Sequence, residues 1–292
     1  MFIGIKLELG FSNDPLCRRL YGDRKILDYL KELGFSAVET PISLQTDHGA
    51  LRDHVEACRE ANLRVSLHPY SEGTACNPAF FSTERNDPCR LRHERLLSFA
   101  AEIVEIQESP TVVNFHPAAG PTTMARPELL DRSVSFLSWA SEWCSRNAPD
   151  VQVVAELQIG PDAEEPMQRI GDTYDELLEL VTRSEVRACW DFGHAYCNTQ
   201  RFGIPLYPPQ EFLDRIGHVH CHDVYHGDHC PLIYQTVPWK DFIRSLIEKG
   251  YDDTMILEVP PSAFLAAGGL ESVERSLEVL INWIEQCEQK TR

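Results

Sequence analysis

The sequence predicts an α/β protein built as a single (β/α)8 barrel over residues 1–292. Three observations carry that expectation. Eight short apolar runs alternate with longer stretches whose apolar residues recur at helical spacing. No composition shift, low-complexity segment or linker divides the chain. A length of 292 residues also suits a fold that typically takes about 250, with some loop insertion.

The elements follow in order. FIGIKLEL (2–9) is read as strand one; no basic stretch leads a long apolar run, so a signal peptide is not expected. DRKILDYLKELG ends on Gly34, a helix stop, before SAVE (36–39). HGALRDHVEACREANL precedes RVSLH (64–68), and RLRHERLLSFAAEIVEIQ precedes TVVNFH (111–116). RPELLDRSVSFLSWASEWCSRN leads to VQVVAEL (151–157), and TYDELLELVTRS to VRACWD (186–191). Only PPQEFLDR, before IGHVHCH (216–222), is short. WKDFIRSLIEKG then leads to TMILEV (254–259), and ESVERSLEVLINWIEQC closes the chain. The longest loops follow strand three (69–89), strand six (195–209) and strand seven (223–237). All emerge at the C-terminal face, where such barrels keep their active sites.

Composition narrows the function. Hydrophobic content of 43% supports a sizeable core, and no run approaches the roughly 20 apolar residues of a membrane span. The ten cysteines form no C-x-x-C and follow no secretory signal, which points to reduced, cytoplasmic usage. A net charge of −18 weighs against nucleic acid as partner, because that affinity rests on lysine and arginine neutralising phosphates. The apolar face of residues 133–143 offers support for a homo-oligomer.

Alternate residues of a barrel strand point inward. If Leu67, Phe115, Ala155, Trp190, Cys221 and Leu257 face the helices, the inward residues at the strand ends are His68, His116, Glu156, Asp191, His220 or His222, and Glu258, all at one level. Glu39 and Glu8 end strands two and one in the same way, and Lys6 also points inward. One layer down lie Ser66, Asn114, Val154, Cys189, His218 and Ile256. Buried carboxylates among neutral imidazoles are costly unless a cation offsets them, so a divalent metal is expected. HVHCHDVYHGDHCP (218–231) holds five of the eleven histidines. It lacks the paired knuckles of a structural zinc site. His218 is expected in the packed core, and His226 and Asp228 in a solvated loop.

CWDFGHA, HVHCHD, ILEVP and VVAEL, at strands six, seven, eight and five, resemble the xylose isomerase-like TIM barrel superfamily. That superfamily includes sugar isomerases and epimerases, inosose dehydratases and abasic-site endonucleases of the endonuclease IV type. The resemblance covers essentially the whole chain. It implies Glu156, Asp191, His220 and Glu258 as ligands of one Mn²⁺, Mg²⁺, Co²⁺ or Zn²⁺ ion. His220 is preferred over its neighbours because it opens an H-x-x-D pattern closed by Asp223. The implied activity is that of a metal-dependent isomerase or epimerase of sugars or polyol ketones. Glu156 and Glu258 would exchange a proton with the carbon beside a carbonyl, through a metal-stabilised enediolate. His68, His116, His194, Lys6 and His222 would bind substrate, with Tyr70 among the aromatic residues walling the pocket. His222 stands where many sugar-acting relatives carry lysine; a surface position is its other reading. For Lys6 the other reading is a salt bridge to Glu39 or Glu8.

His68, His116, His194 and His229 also resemble the extra ligands of the endonuclease branch, which would raise the count to two or three zinc ions for cleavage of abasic DNA. Gly227 stands where that branch has an aspartate. The loop ETPISLQTDHG lacks its groove-entering arginine. Small-molecule chemistry therefore leads, with a multinuclear zinc phosphodiesterase as the alternative.

Overall fold

Eight parallel strands close on themselves in chain order in a computed structural model that describes residues 1–70, 75–162 and 165–291. They are β1 (Phe2–Lys6), β2 (Ala37–Ile42), β3 (Arg64–Pro69), β4 (Thr111–Phe115), β5 (Val151–Glu156), β6 (Arg187–Asp191), β7 (Ile216–Cys221) and β8 (Thr254–Leu257), with β8 returning to pair with β1. The helices are α1 (Pro15–Tyr21), α2 (Ile26–Leu33), α3 (His48–Glu60), α4 (Pro88–Gln107), α5 (Arg126–Asn147), α6 (Tyr174–Ser184), α7 (Phe192–Phe202), α8 (Gln210–Leu213), α9 (Trp239–Glu248), α10 (Pro261–Ala266) and α11 (Leu270–Thr291). The predicted (β/α)8 barrel is the observed fold. Residues 71–74 of the predicted loop after strand three lie outside the described residues.

The main core lies between strands and helices, where Trp190 packs on Phe192 (4.5 Å between ring centroids) and Phe242 (4.9 Å). Each such ring contributes roughly 1.5–3 kcal/mol by burial. Inside the barrel a small cluster of Val112, Val154 and Cys189 fills the floor. Gly4 is small for a reason: a Cβ there would meet Ile256 Cδ1 at 2.5 Å.

The structure differs from expectation at five places. Strand one stops at Lys6, because Gly10 turns the chain (φ 76°) and Asp14 caps α1 by accepting from the Cys17 N–H. Strand two runs on to Ile42, which leaves Glu39 in mid-strand. Half of the expected loop 195–209 is helix, since α7 starts at once behind Asp191 and stops only at Gly203, where φ is 68°. A two-stranded antiparallel ribbon of Ala119–Pro121 with Met167–Arg169 ties the loops after β4 and β5 together; strands of three residues leave no readable pattern. The apolar face of 133–143 is also taken up within the chain. Ser133, Phe136, Leu137 and Ala140 are buried, and Trp139 lies 5.1 Å from the Phe81 ring.

Candidate metal centre

The side chains at the strand ends form a staggered ring. Glu156 is level with Cys189, and Cys189 with His218, whereas Asp191 is level with His220, and His220 with Ile256. The expectation of a single level is corrected by the tilt and shear of barrel strands. The stagger nonetheless brings the expected residues together. Glu156, Asp191, His220 and Glu258, all buried, can each offer one ligand atom, with those atoms all within 4.8 Å of one another.

Hydrogen bonding divides the atoms of these residues into held and unheld. Glu156 Oε2 accepts from Asn114 Nδ2 (2.5 Å), Asp191 Oδ1 from the His194 backbone N–H (2.7 Å), and Glu258 Oε1 from the Tyr70 hydroxyl (3.2 Å) and Lys6 Nζ (3.4 Å). Glu156 Oε1, Asp191 Oδ2, Glu258 Oε2 and His220 Nδ1 are buried without a hydrogen-bond partner. Even the 2.9 Å approach of His220 Nδ1 to Glu258 Oε2 is out of line for a hydrogen bond. Buried polar groups are almost always satisfied, so one unheld donor atom on each of these four residues calls for a reason. Three carboxylate oxygens and one imidazole nitrogen make a donor set that fits Mn²⁺, Mg²⁺, Co²⁺ or Zn²⁺.

Electrostatics fit the same picture. Burial alone would raise the Glu156 carboxyl, but His116 and His220 hold it well below the usual carboxylate range. For Glu258, burial is likewise outweighed by His220, His229 and His68. Burial lowers the His220 imidazole, yet Cys189 and the carboxylates of Glu39, Glu258 and Glu156 hold it well above its ordinary value. Histidinium charge thus stabilises the carboxylates in the metal-free protein, a duty that a divalent cation held there would take over.

Other expected residues also gather here. His68 Nε2 lies 3.1 Å from His116 Nε2, and His116 Nε2 lies 3.5 Å from Glu156 Oε1. His194 Nδ1 donates to the Leu157 carbonyl (3.0 Å), which leaves Nε2 as its free nitrogen. His222 is buried, so its surface reading is wrong. Its Nδ1 accepts the His229 backbone N–H (2.8 Å), and its Nε2 lies 3.1 Å from Asp191 Oδ1. His222 Nε2 is buried without a hydrogen-bond partner, and the residue offers a ligand atom within reach of those of His194 and His229. Lys6 bonds to Tyr70 (2.5 Å) and Glu258, and not to Glu39 or Glu8. His218 is in the core as expected, donating to Glu39 Oε2 (2.8 Å).

The loop 223–237 folds back over the site because Asp223 is fully buried beneath it. Asp223 Oδ1 accepts from the backbone N–H groups of Val224 (3.0 Å), Thr236 (3.1 Å) and Val237 (3.2 Å), and from the Thr236 hydroxyl. Its backbone also pairs with Cys230. That closure delivers His229, in the left-handed region at φ 51°, to 3.4 Å from Glu258 Oε2. Asp223→Ala should therefore cost about 2–4 kcal/mol, read as a lower denaturation midpoint. The loop should also become the first segment to exchange its amide protons.

Three residues that line the mouth were not singled out for it from the sequence. Asp228 is exposed on its loop, as expected, and it also lines the mouth, 3.4 Å from His229 Nδ1. Gln158, whose Nε2 is buried and unpaired, and Arg169 line the same cavity of about 520 Å³. Gln158 lies just past a strand end, where parity no longer applies, and Arg169 sits on the unforeseen ribbon between the two loops. A larger groove of about 880 Å³ beside α1–α3 contains none of these groups, so size alone would misplace the site.

A closed (β/α)8 barrel with a carboxylate-and-imidazole mouth defines the class of protein. The chain belongs to the xylose isomerase-like TIM barrel family, whose family model matches residues 27–286. No curated protein matches the chain. Among solved structures it is similar to a D-tagatose 3-epimerase-like protein, with 20% identity, all of both chains covered and a TM-score of 0.67. It is also similar to D-psicose 3-epimerase from Clostridium cellulolyticum H10 (12% identity, 98% of this chain and 99% of that one, TM-score 0.66). An AP endonuclease, family 2, from Brucella melitensis shares the fold too (16% identity, 92% and 99% covered, TM-score 0.61). At such identities the likeness speaks for the fold.

Proposed function

We propose that the protein is a divalent-metal-dependent isomerase or epimerase of a sugar or polyol ketone, working by proton transfer beside a carbonyl. The observation that supports this most strongly is the set of four unpaired, buried donor atoms, two of them on glutamates from strands three apart in the barrel, β5 and β8. Glu156, Asp191, His220 and Glu258 would hold the cation. When bound, it supplies Lewis acidity toward the carbonyl.

The chain's own groups do the rest. Glu156 and Glu258 each have one oxygen held and the other unheld; the unheld oxygen would face the cation, and the held one, on release from its donor, would carry the proton. One, as the carboxylate, removes the proton from the carbon beside the carbonyl; the other, having first taken up a proton from solvent, returns it to the opposite face of that carbon or to its neighbour and is left as the carboxylate. Glu258 is oriented by Lys6 and Tyr70, and Glu156 by Asn114. His116, His194 and Gln158 hold substrate hydroxyls, and the loop of His229 limits access of water.

The test is a panel of ketohexoses, beginning with D-tagatose and D-psicose, in deuterated solvent with Mn²⁺- or Co²⁺-loaded protein. Deuterium is expected at the carbon beside the carbonyl, and a broad panel without exchange overturns the reading. The alternative, a multinuclear zinc phosphodiesterase, draws support from the gathering of His194, His222 and His229 beside the first centre. It requires two or three ions per chain and nicking of an abasic duplex, whereas the isomerase reading requires one ion.

A further inference from the structure

We infer that Glu39 is a positioning residue of this centre: it fixes the proton of His220 on Nε2, so that Nδ1 presents its lone pair to the cation. The inference rests on the metal reading above. Glu39 lies in mid-β2, level with Lys6 and Ser66, and is buried at 1% exposure. No lysine or arginine among the described residues pairs with it. Its ion-pair neighbours are all imidazoles: His220 Nε2 at 2.8 Å from Oε1, His218 Nε2 at 2.8 Å from Oε2 and His68 Nδ1 at 3.5 Å from Oε1.

A lone buried carboxylate is costly, so a position that keeps one without a strong cation needs a function for it. The chemistry of the neighbours supplies one. An ionised carboxylate only accepts hydrogen bonds, and a neutral imidazole has a single N–H. The 2.8 Å contact of His220 Nε2 with Glu39 Oε1 is out of line for a hydrogen bond, and Asn114 Nδ2 lies 3.5 Å from the same nitrogen; a carboxylate as close as Glu39 nonetheless favours a proton over a lone pair on Nε2. The remaining nitrogen, Nδ1, lies 2.9 Å from Glu258 Oε2, 3.5 Å from Glu156 Oε2 and 3.8 Å from Asp191 Oδ2. Without Glu39 the proton would move to Nδ1, where Glu258 attracts it, and the nitrogen facing the other ligands would no longer be a ligand. A carboxylate on the far nitrogen also makes a metal-bound imidazole more basic and fixes its ring. His218 and Ser66, on the other oxygen at 2.8 and 3.3 Å, keep Glu39 from rotating away.

Glu39→Gln keeps the shape and removes the charge. Loss of such an outer partner typically costs about 10–100-fold in metal affinity. Mn²⁺ binding to metal-stripped protein, read by competition with a chelating dye, should weaken by that factor. In Zn²⁺-loaded, ¹⁵N-histidine-labelled protein, His220 should show a protonated Nε2 in the wild type and a mixture of forms in the variant. Glu39→Asp keeps the charge but loses reach, and should fall between the two; it also serves if Glu39→Gln does not fold. Thr40→Val is the control: it cuts the bond from the neighbouring β2 residue to His54 (2.8 Å) and should leave Mn²⁺ affinity unchanged. Wild-type affinity in both Glu39 variants, or equal losses in Thr40→Val, overturns the role of Glu39. A wild-type protein that binds no Mn²⁺ or Zn²⁺ instead overturns the metal reading, and the inference falls with it.

Discussion

Glu258→Gln is expected to lower kcat by about 10³-fold or more on whichever ketose the wild type turns over, and to weaken metal binding as well. The glutamate oxygens have separate duties. Oε1 is held by the Tyr70 hydroxyl at 3.2 Å and Lys6 Nζ at 3.4 Å, and Oε2 is unpaired. An amide cannot serve both. With its oxygen toward the two donors it turns an NH2 into the ligand set; reversed, it sets NH2 against an ammonium. Either way the proton acceptor is gone. Glu156→Gln has a milder constraint, since its held oxygen faces one donor, Asn114. If both carboxylates exchange protons with the substrate, each variant abolishes product. One of them can nevertheless retain deuterium exchange at the substrate carbon, and that asymmetry would assign the base. Full turnover in either variant, measured with saturating Mn²⁺, would remove that carboxylate from the chemistry. Tyr70→Phe and Lys6→Met should give smaller losses, about tenfold, because they loosen Glu258 without removing it.

Most of this arrangement was legible in the chain because a barrel strand obeys a period of two and ends at the catalytic face. Parity places Glu156, Asp191, Glu258 and either His220 or His222 inward, the family resemblance selects His220, and the structure brings these four together. Parity failed where the strand had been given the wrong length. Glu39 looked like a strand end, yet β2 continues to Ile42, and its side chain sits under the mouth beside His218 and His220. His222 lies beyond the last residue of β7, so a strand rule could not say whether it was buried or exposed. The fate of Asp228 and His229 was hidden for another reason. It depends on the fully buried Asp223 collecting three backbone N–H groups of its own loop, a closure with no periodic signature. Hydrogen bonds over long separations, such as Tyr70 to Glu258, leave no trace in local sequence either.

Metal uptake should release protons, and the apparent affinity should rise steeply with pH. A metal needs the His220 imidazole neutral, whereas the metal-free protein holds it protonated well above its ordinary range. The carboxyls of Glu156 and Glu258 lie well below theirs, and that of Asp191 lies below its own, so they are already ionised at neutral pH and release nothing. His229, raised to about 10 against the opposing effect of burial by Asp228 and Glu258, adds a second charge for the cation to repel. At least one proton should therefore leave, giving about a tenfold gain in affinity per pH unit from pH 6 to 8. Calorimetric titrations in two buffers of different ionisation heat would count it; no buffer dependence would refute the linkage. The sign for stability follows. The raised histidines stabilise the metal-free protein fully below about pH 6.5, and that contribution is lost as pH rises through about 10 for His229. The lowered carboxyls contribute above about pH 4.5, with loss only as pH falls through their depressed values. His54 and His93, each lowered to about 4 chiefly by burial, remain neutral in the fold while the unfolded chain takes up protons below about pH 6.5, which removes stability on the acid side. Metal-free protein should thus be most stable near pH 6–7, and a bound cation should extend that range upward by replacing histidinium charge. At a free metal concentration of about 100 times Kd the gain is about 2.7 kcal/mol, or roughly 5–10 °C in Tm, and it disappears with a chelator. A chelator-induced fall in Tm that shrinks from pH 6 to pH 9 would show that the histidines do not stand in for the metal.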